Sequence, residues 1–370
     1  MWRWLLLGAL AALPACAPVG LARGAASDYG QELARIDQEI VDAGPDRLVY
    51  LLYTRASLTA DFSDFARAEQ EIERALSVPA DELLLFRATL NIKLHRLAAA
   101  KGDLRRLTDL AGSSYVRLLG ADIALQEGRY EEALRTYEEL LAARRTWDHL
   151  ARVAYLRWKT GHPARADALY AEAQEDLTAK EMRSFAWVEL QRGLLDLDLR
   201  RYEDALAHYR RAERAYSGYW LIEEHIAEVL DLLGRTDEAV GIYERIIERT
   251  RNPEYVSALA SLVARRDSGA GAALYREADA LFEERFARYP EAAMGHYIEH
   301  LIGRKQGSPA LLGLAERNHE LRPNAESKLL LAKACMKLRQ EARARALLAE
   351  VAATPWRSSD LAELRQQLAR

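Results

Sequence analysis

Residues 296–300 read His-Tyr-Ile-Glu-His and contain side chains that could hold a metal ion. Residues four apart lie on one face of an α-helix, about 6 Å apart at their Cβ atoms, so His296 and His300 could bind one ion. A zinc ion held by two histidines and a third ligand can activate water with the help of a glutamate, here Glu299. The spacing therefore raises the hypothesis of a zinc-dependent hydrolase, in which the third ligand would come from the next helix, from Glu316, His319 or Glu320.

This five-residue pattern resembles the H-x-x-E-H motif of inverted zinc peptidases. That family takes a further glutamate from a distant helix of an α plus β fold, and the rest of the sequence does not resemble such a fold. Histidines are also common in helix packing, and a short pattern arises easily by chance. Metal binding by His296 and His300, catalytic or structural, is therefore kept as an alternative, and we predict a protein without cofactor or enzymatic activity.

A second cluster consists of acidic side chains that could bind another protein. On a helix, Glu224, Glu228 and Asp231 share one face, which could receive a basic segment of a partner. Such a run of charges is equally typical of a solvated helix face. Large planar side chains are good anchors for a docked peptide, and three candidates for this role are Tyr155, Trp158 and Trp187.

The elements that must position these side chains are recognisable from an internal repeat. A short polar phrase ending in alanine recurs at intervals of 33, 39 and 34 residues, at Ala133, Ala166, Ala205 and Ala239. Four residues after each alanine stands a tyrosine, namely Tyr137, Tyr170, Tyr209 and Tyr243. Apolar residues recur at helical intervals from Tyr29 onward. A period in the mid-thirties is typical of a solenoid of helix pairs.

The repeat resembles the tetratricopeptide repeat. The recurring alanines, with Gly193 and Ala227, take the places where two helices cross closely, and the tyrosines take the large-residue places. Turn glycines stand at Gly128, Gly161 and Gly234, and Arg200 and Arg339 replace glycine in two further turns. The resemblance implies an all-α fold, a right-handed α-solenoid of about nine helix hairpins over residues 27–357. Residues 358–370 are expected to form a C-terminal capping helix, and the hairpins are expected to leave a concave groove for a partner.

Composition and charge restrict the class of protein to which this chain can belong. The chain has 370 residues, of which 50% are hydrophobic and 29% charged, with a formal net charge of −4. These values are typical of a folded protein and argue against a dedicated nucleic-acid binder, which should carry a basic stripe. Two cysteines, Cys16 and Cys335, predict no disulfide within the folded array.

The N-terminal 26 residues have the layout of an export signal, with a basic start and an uncharged apolar stretch. Leu13-Pro14-Ala15-Cys16 resembles a bacterial lipobox, in which Cys16 would be acylated after cleavage. Ordinary signal-peptide cleavage near residues 24–26 and a retained membrane helix are the alternatives. The sequence therefore predicts an exported scaffold of the bacterial cell envelope, lipid-anchored on the periplasmic side of a membrane, that binds another protein or peptide. A structural subunit of a larger envelope assembly is a further alternative.

Overall fold

The computed structural model describes residues 27–76, 80–304 and 309–369, which contain twenty α-helices and no β-strand. The predicted all-α class is confirmed. Helix α1 covers Asp28–Asp42 and helix α20 covers Ser359–Ala369. Nine helix hairpins follow one another between these two helices. No helix in the described ranges is both long enough and apolar enough to cross a membrane.

Each hairpin consists of a first and a second helix joined by a short turn. The first helices are α2 (Pro45–Thr59), α4 (Asp81–Lys93), α6 (Ser114–Gln126), α8 (Trp147–Lys159), α10 (Met182–Asp198), α12 (Trp220–Leu232), α14 (Pro253–Val263), α16 (Pro290–Gly303) and α18 (Ala325–Lys337). The second helices are α3 (Phe62–Ala75), α5 (Leu97–Leu104), α7 (Tyr130–Ala143), α9 (Pro163–Glu175), α11 (Tyr202–Ala215), α13 (Thr236–Thr250), α15 (Ser268–Arg288), α17 (Pro309–Leu321) and α19 (Glu341–Ala353). This count confirms the predicted α-solenoid.

Several turns inside the hairpins contain a residue with a left-handed backbone conformation. Gly128, Gly161 and Gly234 have φ values of 77°, 86° and 79°. Arg200 and Arg339, which replace glycine in two other turns, both adopt a φ of 58°. These two arginines therefore preserve the turn geometry, although a side chain makes that conformation less favourable than it is for glycine.

The first and second helices of a hairpin interlock where a small residue faces a large one. The repeat alanines and their tyrosines are all buried. A Cβ atom placed on Gly193 of α10 would lie 2.2 Å from Cε1 of Tyr209 on α11, far inside van der Waals contact. Only glycine therefore fits at this crossing, as the resemblance to the repeat family implied.

The N-terminal part of the array differs in detail from the regular helix hairpins that the repeat predicts. It contains α1 in addition to the hairpin α2–α3, because α1 ends before Ala43 and a new helix begins at Pro45. Proline is well suited to the first position of a helix, since its missing N–H would have no partner there. The early chain therefore has one more helix than the repeat predicts.

Distant parts of the solenoid contact each other. The ring of Tyr29 in α1 stacks on that of Tyr219, with centroids 5.3 Å apart. The indole N–H of Trp220 donates to the carbonyl oxygen of Leu58 at 2.7 Å, and Phe62 packs on Tyr289 with centroids 5.0 Å apart. The superhelix is therefore tight enough for the α2–α3 hairpin to pack against residues more than a hundred positions later in the chain.

The C-terminal segment packs on the central hairpins. Trp356, between α19 and α20, is 2% exposed. Its ring lies 5.0 Å from the Tyr130 ring and 5.5 Å from the ammonium nitrogen of Lys159. The backbone N–H of Arg357 donates to the carbonyl oxygen of Lys159 at 2.7 Å, and that of Ser359 donates to Asp198 at 2.9 Å. The chain's own C-terminus therefore covers part of the inner surface of the solenoid.

The interlock predicts opposite effects for two glycine substitutions. Gly193→Ala should lower the free energy of unfolding by about 1–3 kcal/mol, because the new methyl group collides with the Tyr209 ring. Gly120→Ala, within α6, is the matched control. Its Cβ would meet nothing within 4 Å, so it should raise stability by about 0.5–1 kcal/mol. Urea denaturation followed by circular dichroism measures both, and stabilisation by Gly193→Ala would contradict the predicted close crossing.

Trp356 packs the C-terminal segment onto the solenoid, so its removal should lower stability strongly. Trp356→Ala should cost about 3–5 kcal/mol, because it empties a buried aromatic site. Gln366→Ala, on an exposed position of α20, should change stability by no more than about 0.5 kcal/mol. Hydrogen exchange should show α20 losing protection only in the Trp356 variant. Unchanged protection there would mean that the indole does not hold the C-terminal helix.

Candidate functional site

The two histidines of the H-x-x-E-H pattern have different partners in α16. Nδ1 of His300 lies 2.8 Å from the hydroxyl of Ser257, and its Nε2 lies 2.8 Å from a carboxylate oxygen of Asp279. Nδ1 of His296 instead lies 3.8 Å from carboxylate oxygens of both Glu254 and Glu299. Both nitrogens of His300 are therefore engaged by the chain itself, and the two imidazoles do not share a site.

The residues expected to supply a third ligand also have other partners. Nδ1 of His319 lies 2.8 Å from the Ser327 hydroxyl, Glu316 forms an ion pair with Arg343 at 2.6 Å, and Glu320 is exposed. These placements do not support the zinc-hydrolase alternative. Helical spacing places two side chains on one face, but it does not decide which neighbours they meet.

The acidic cluster on α12 is more buried than a solvated face would be. Glu224 and His225 are each 1% exposed, and Glu228 is partly buried. Nδ1 of His225 lies 3.2 Å from a carboxylate oxygen of Glu224 and 3.5 Å from one of Glu228. The His225 ring stacks on Tyr209, with centroids 5.4 Å apart. The cluster therefore sits against the same tyrosine that interlocks with Gly193.

Burial dominates the electrostatics of this cluster. It raises the pKa of Glu224 to about 8, because the charged carboxylate loses its hydration, and the neighbouring Glu228 carboxylate adds to the shift. Burial alone would lower the pKa of His225, but the carboxylates of Glu224 and Glu228 together outweigh it and the pKa is raised overall. Burial therefore disfavours the charged form of Glu224, whereas the neighbouring carboxylates favour the charged form of His225.

Asp231 lies one turn beyond this cluster and has a different environment. Its carboxylate accepts hydrogen bonds from the guanidinium of Arg265 at 2.8 Å and from the hydroxyl of Thr236 at 2.8 Å. The three acidic residues that the sequence places on one helix face are therefore not one exposed patch. Glu224 is enclosed, whereas Glu228 and Asp231 reach a cavity.

The predicted aromatic anchors contact the chain itself. Trp158 is 4% exposed and its indole N–H donates to Asp198 at 2.7 Å. Tyr155 is 6% exposed and its hydroxyl lies 3.4 Å from Glu326 of α18. Trp187 is half-buried and packs edge-on against Trp147. Binding of a partner by these three residues stays a prediction, and Tyr155 and Trp158 would have to be uncovered for it.

A cavity of 410 Å³ lies on the inner side of the solenoid. Its walls come from the first helices α8, α10, α12, α14, α16 and α18, and α20 closes one side. The charged residues that line it are Glu228, Asp231, Glu299, Glu326, Asp360, Glu363, Lys159, Arg200, Arg265 and Lys333. Two of the residues predicted to bind a partner, Glu228 and Asp231, therefore face a common space.

Several lining residues were not expected from the sequence. Lys159 and Lys333 reach the cavity from the first helices α8 and α18, and the α20 residues reach it because the C-terminal segment turns back onto α8 and α10. A signal for this docking is present in α20, whose leucines Leu361, Leu364 and Leu368 recur at helical spacing and are buried. Such a stripe indicates that the helix packs on something, but it does not identify the surface that it covers.

Cys16, the residue predicted to carry the lipid, lies outside the residues that the structure describes, as does the rest of the predicted export signal. The lipid anchor and the location in the cell envelope therefore stay predictions.

The environment of His300 predicts a pH-dependent contribution to stability. Burial lowers its pKa, and the Asp279 carboxylate compensates only in part. The unfolded chain, with an ordinary histidine pKa near about 6.5, then takes up a proton more readily than the folded chain. The stability contributed by the buried, neutral His300 is therefore present above this ordinary pKa and is lost as the pH falls below it.

Acidification from pH 7 to pH 5 should therefore destabilise the wild-type chain more than His300→Gln, measured by urea denaturation at each pH. His162→Gln, which removes an exposed imidazole, should follow the wild type. Equal losses in the wild type and in the His300 variant would rule out a role for this histidine in the pH dependence.

Comparisons with known proteins agree with the repeat architecture. The family model described as "Tetratricopeptide repeat" matches residues 196–262. No curated protein matches the sequence. The structure of a Rap protein complexed with Competence and Sporulation Factor is similar, with 15% identity, a TM-score of 0.53, and coverage of 92% of this chain and 99% of that chain.

Two further solved structures show lower similarity. A tetratricopeptide repeat protein from Parabacteroides merdae is 16% identical, with a TM-score of 0.36 and coverage of 78% of this chain and 99% of that chain. MamA is 19% identical, with a TM-score of 0.36 and coverage of 46% and 97%. Residues 196–262 therefore match the tetratricopeptide repeat, and the turns and small-to-large crossings show the same helix-hairpin fold in the neighbouring hairpins.

Proposed function

We propose that this protein is a non-enzymatic interaction scaffold of the bacterial cell envelope, which binds a basic peptide or partner helix at its inner cavity. The observation that carries the proposal is the cavity of 410 Å³ on the inner face of the solenoid, with Glu228 and Asp231 in its wall. Tetratricopeptide-repeat folds present curved surfaces to other proteins, and this cavity is a concave, charged part of such a surface.

The charges of the cavity wall favour a basic partner. Six carboxylate residues line it against four basic residues, so the lining is net acidic. Several of these charges are already paired within the chain, as in Asp231 with Arg265 and Asp360 with Lys333. An excess of carboxylates in a recessed space attracts cationic segments and disfavours acidic ones.

The position of α20 supports a helical or extended partner. Its leucines are buried while Asp360, Glu363 and Gln367 face the cavity. The inner surface thus already accommodates one helix of this chain, held by apolar contacts on one side and polar contacts on the other. A partner segment would bind beside α20 and use it as part of the receiving surface.

The N-terminal sequence supports a place in the cell envelope. Its basic start and apolar stretch are typical of an export signal, and acylation of Cys16 would tether the folded array to a membrane on the periplasmic side. Stable anchoring needs more than one acyl chain, because a single chain binds a bilayer only marginally. In this arrangement the solenoid would hold its partner close to the membrane surface.

Peptide binding tests this proposal. Two fluorescent peptides of equal length, one lysine-rich and amphipathic and the other with glutamate in place of lysine, are titrated with the protein in the presence of a metal chelator. Saturable binding of the basic peptide alone is expected. Asp231→Asn combined with Glu299→Gln should weaken it by about tenfold, equivalent to roughly 1.4 kcal/mol.

The control removes the same number of charges elsewhere. Glu131→Gln combined with Glu320→Gln neutralises two exposed carboxylates on α7 and α17 and should leave the affinity unchanged. Equal affinities for both peptides, or equal weakening by both double variants, would show that the cavity is not the binding surface.

A further inference from the structure

We propose that Glu224, His225 and Glu228 form a binding site for a divalent transition-metal ion, for which zinc is the best match. The site lies within α12 and goes beyond the proposed scaffold function. It is distinct from the H-x-x-E-H pattern that the sequence singled out.

The distances fit one small ion. Within the described residues, one nitrogen and two carboxylate oxygens of this trio lie within 4.8 Å of one another. Nδ1 of His225 is 3.2 Å from Glu224 and 3.5 Å from Glu228. Ligands bound to zinc tetrahedrally at about 2.0–2.1 Å are separated by roughly 3.3–3.4 Å. The two measured separations therefore correspond to edges of such a tetrahedron.

A second observation concerns hydrogen bonding of the buried atoms. Nδ1 of His225 lies beside the two carboxylates but makes no hydrogen bond, and neither does Oε1 of Glu224. Both side chains are only 1% exposed. A buried polar atom without a hydrogen bond is costly. A bound cation would compensate the imidazole nitrogen of His225 and the enclosed Glu224 carboxylate at once.

The surroundings favour a preformed site with an open position. Stacking on Tyr209 fixes the plane of the His225 ring. One imidazole nitrogen and two carboxylates are typical zinc ligands, and the two carboxylates balance the charge of the ion. Three protein ligands leave a fourth position. Because Glu228 also lines the cavity, that position is accessible to water or to a donor atom of a molecule bound there.

The chain offers a matched comparison in His296. This histidine also lies between two glutamates, Glu254 and Glu299, but at 3.8 Å from each. Glu254 is in addition paired with the guanidinium of Arg285 at 3.3 Å. A positive charge next to a ligand opposes a cation, and the wider separations fit a single ion less well. The His225 site should therefore bind zinc, whereas the His296 group should not.

Zinc titration tests this inference. The full-length chain, purified without a metal-binding tag and stripped with a chelator, is titrated with zinc in competition with a chromophoric chelator. One zinc ion per chain is expected. His225→Gln should weaken binding by at least about tenfold, by analogy with the effect of disturbing metal-site partners. His296→Gln should bind as the wild type does. Cobalt should give the intense visible bands of a tetrahedral site only where His225 is present.

Folding of each variant is checked by circular dichroism. Because His225 is buried, Glu228→Gln serves as a second variant at the partly exposed edge of the site. It should remain helical and lose the zinc-induced rise in melting temperature. Absence of stoichiometric zinc binding in the wild type would overturn the inference, as would wild-type affinity in a folded Glu228→Gln chain or an equal loss in His296→Gln.

Discussion

The close crossing of the two helices in each hairpin is the constraint on which the solenoid depends. At Gly193 the crossing leaves no room even for a methyl group beside Tyr209, and at the other repeats buried alanines take the equivalent place. Because a hairpin of this kind buries one apolar face only by packing on the next, the crossing geometry is propagated along the array. The superhelix is tight as a result, and its distant hairpins contact each other.

That tightness determines which part of the inner surface is available. Trp356 lies against Tyr130 and Lys159, and Tyr155 and Trp158 are almost completely buried. The inner surface is thus closed over α8 by the C-terminal segment and recessed between α12, α14 and α18. A partner bound there, as proposed, would meet a bounded cavity that restricts its length and charge more strongly than an open arch would.

The local elements could be predicted from the sequence, because their signals are local. Glycine spacing indicates the left-handed turns, and Arg200 shows that the turn geometry persists when the glycine is replaced. The environment of Glu224 could not be predicted in the same way. Helical spacing places it on a face with Glu228, but its burial depends on neighbouring hairpins. The same limit applies to His300, whose partners Ser257 and Asp279 come from α14 and α15.

The polar groups of α12 link the interior of the array to the cavity. Enclosed carboxylates are unfavourable unless a cation or hydrogen bonds compensate them, and the cost rises as water is excluded. Glu224 is enclosed, while Glu228 belongs both to the cluster around His225 and to the cavity wall. A change of charge at Glu228 therefore alters both the cluster around His225 and the charge of the cavity wall. Because Tyr209 supports the His225 ring and also fills the crossing at Gly193, the packing of the hairpin and the electrostatics of the inner surface rest on one side chain.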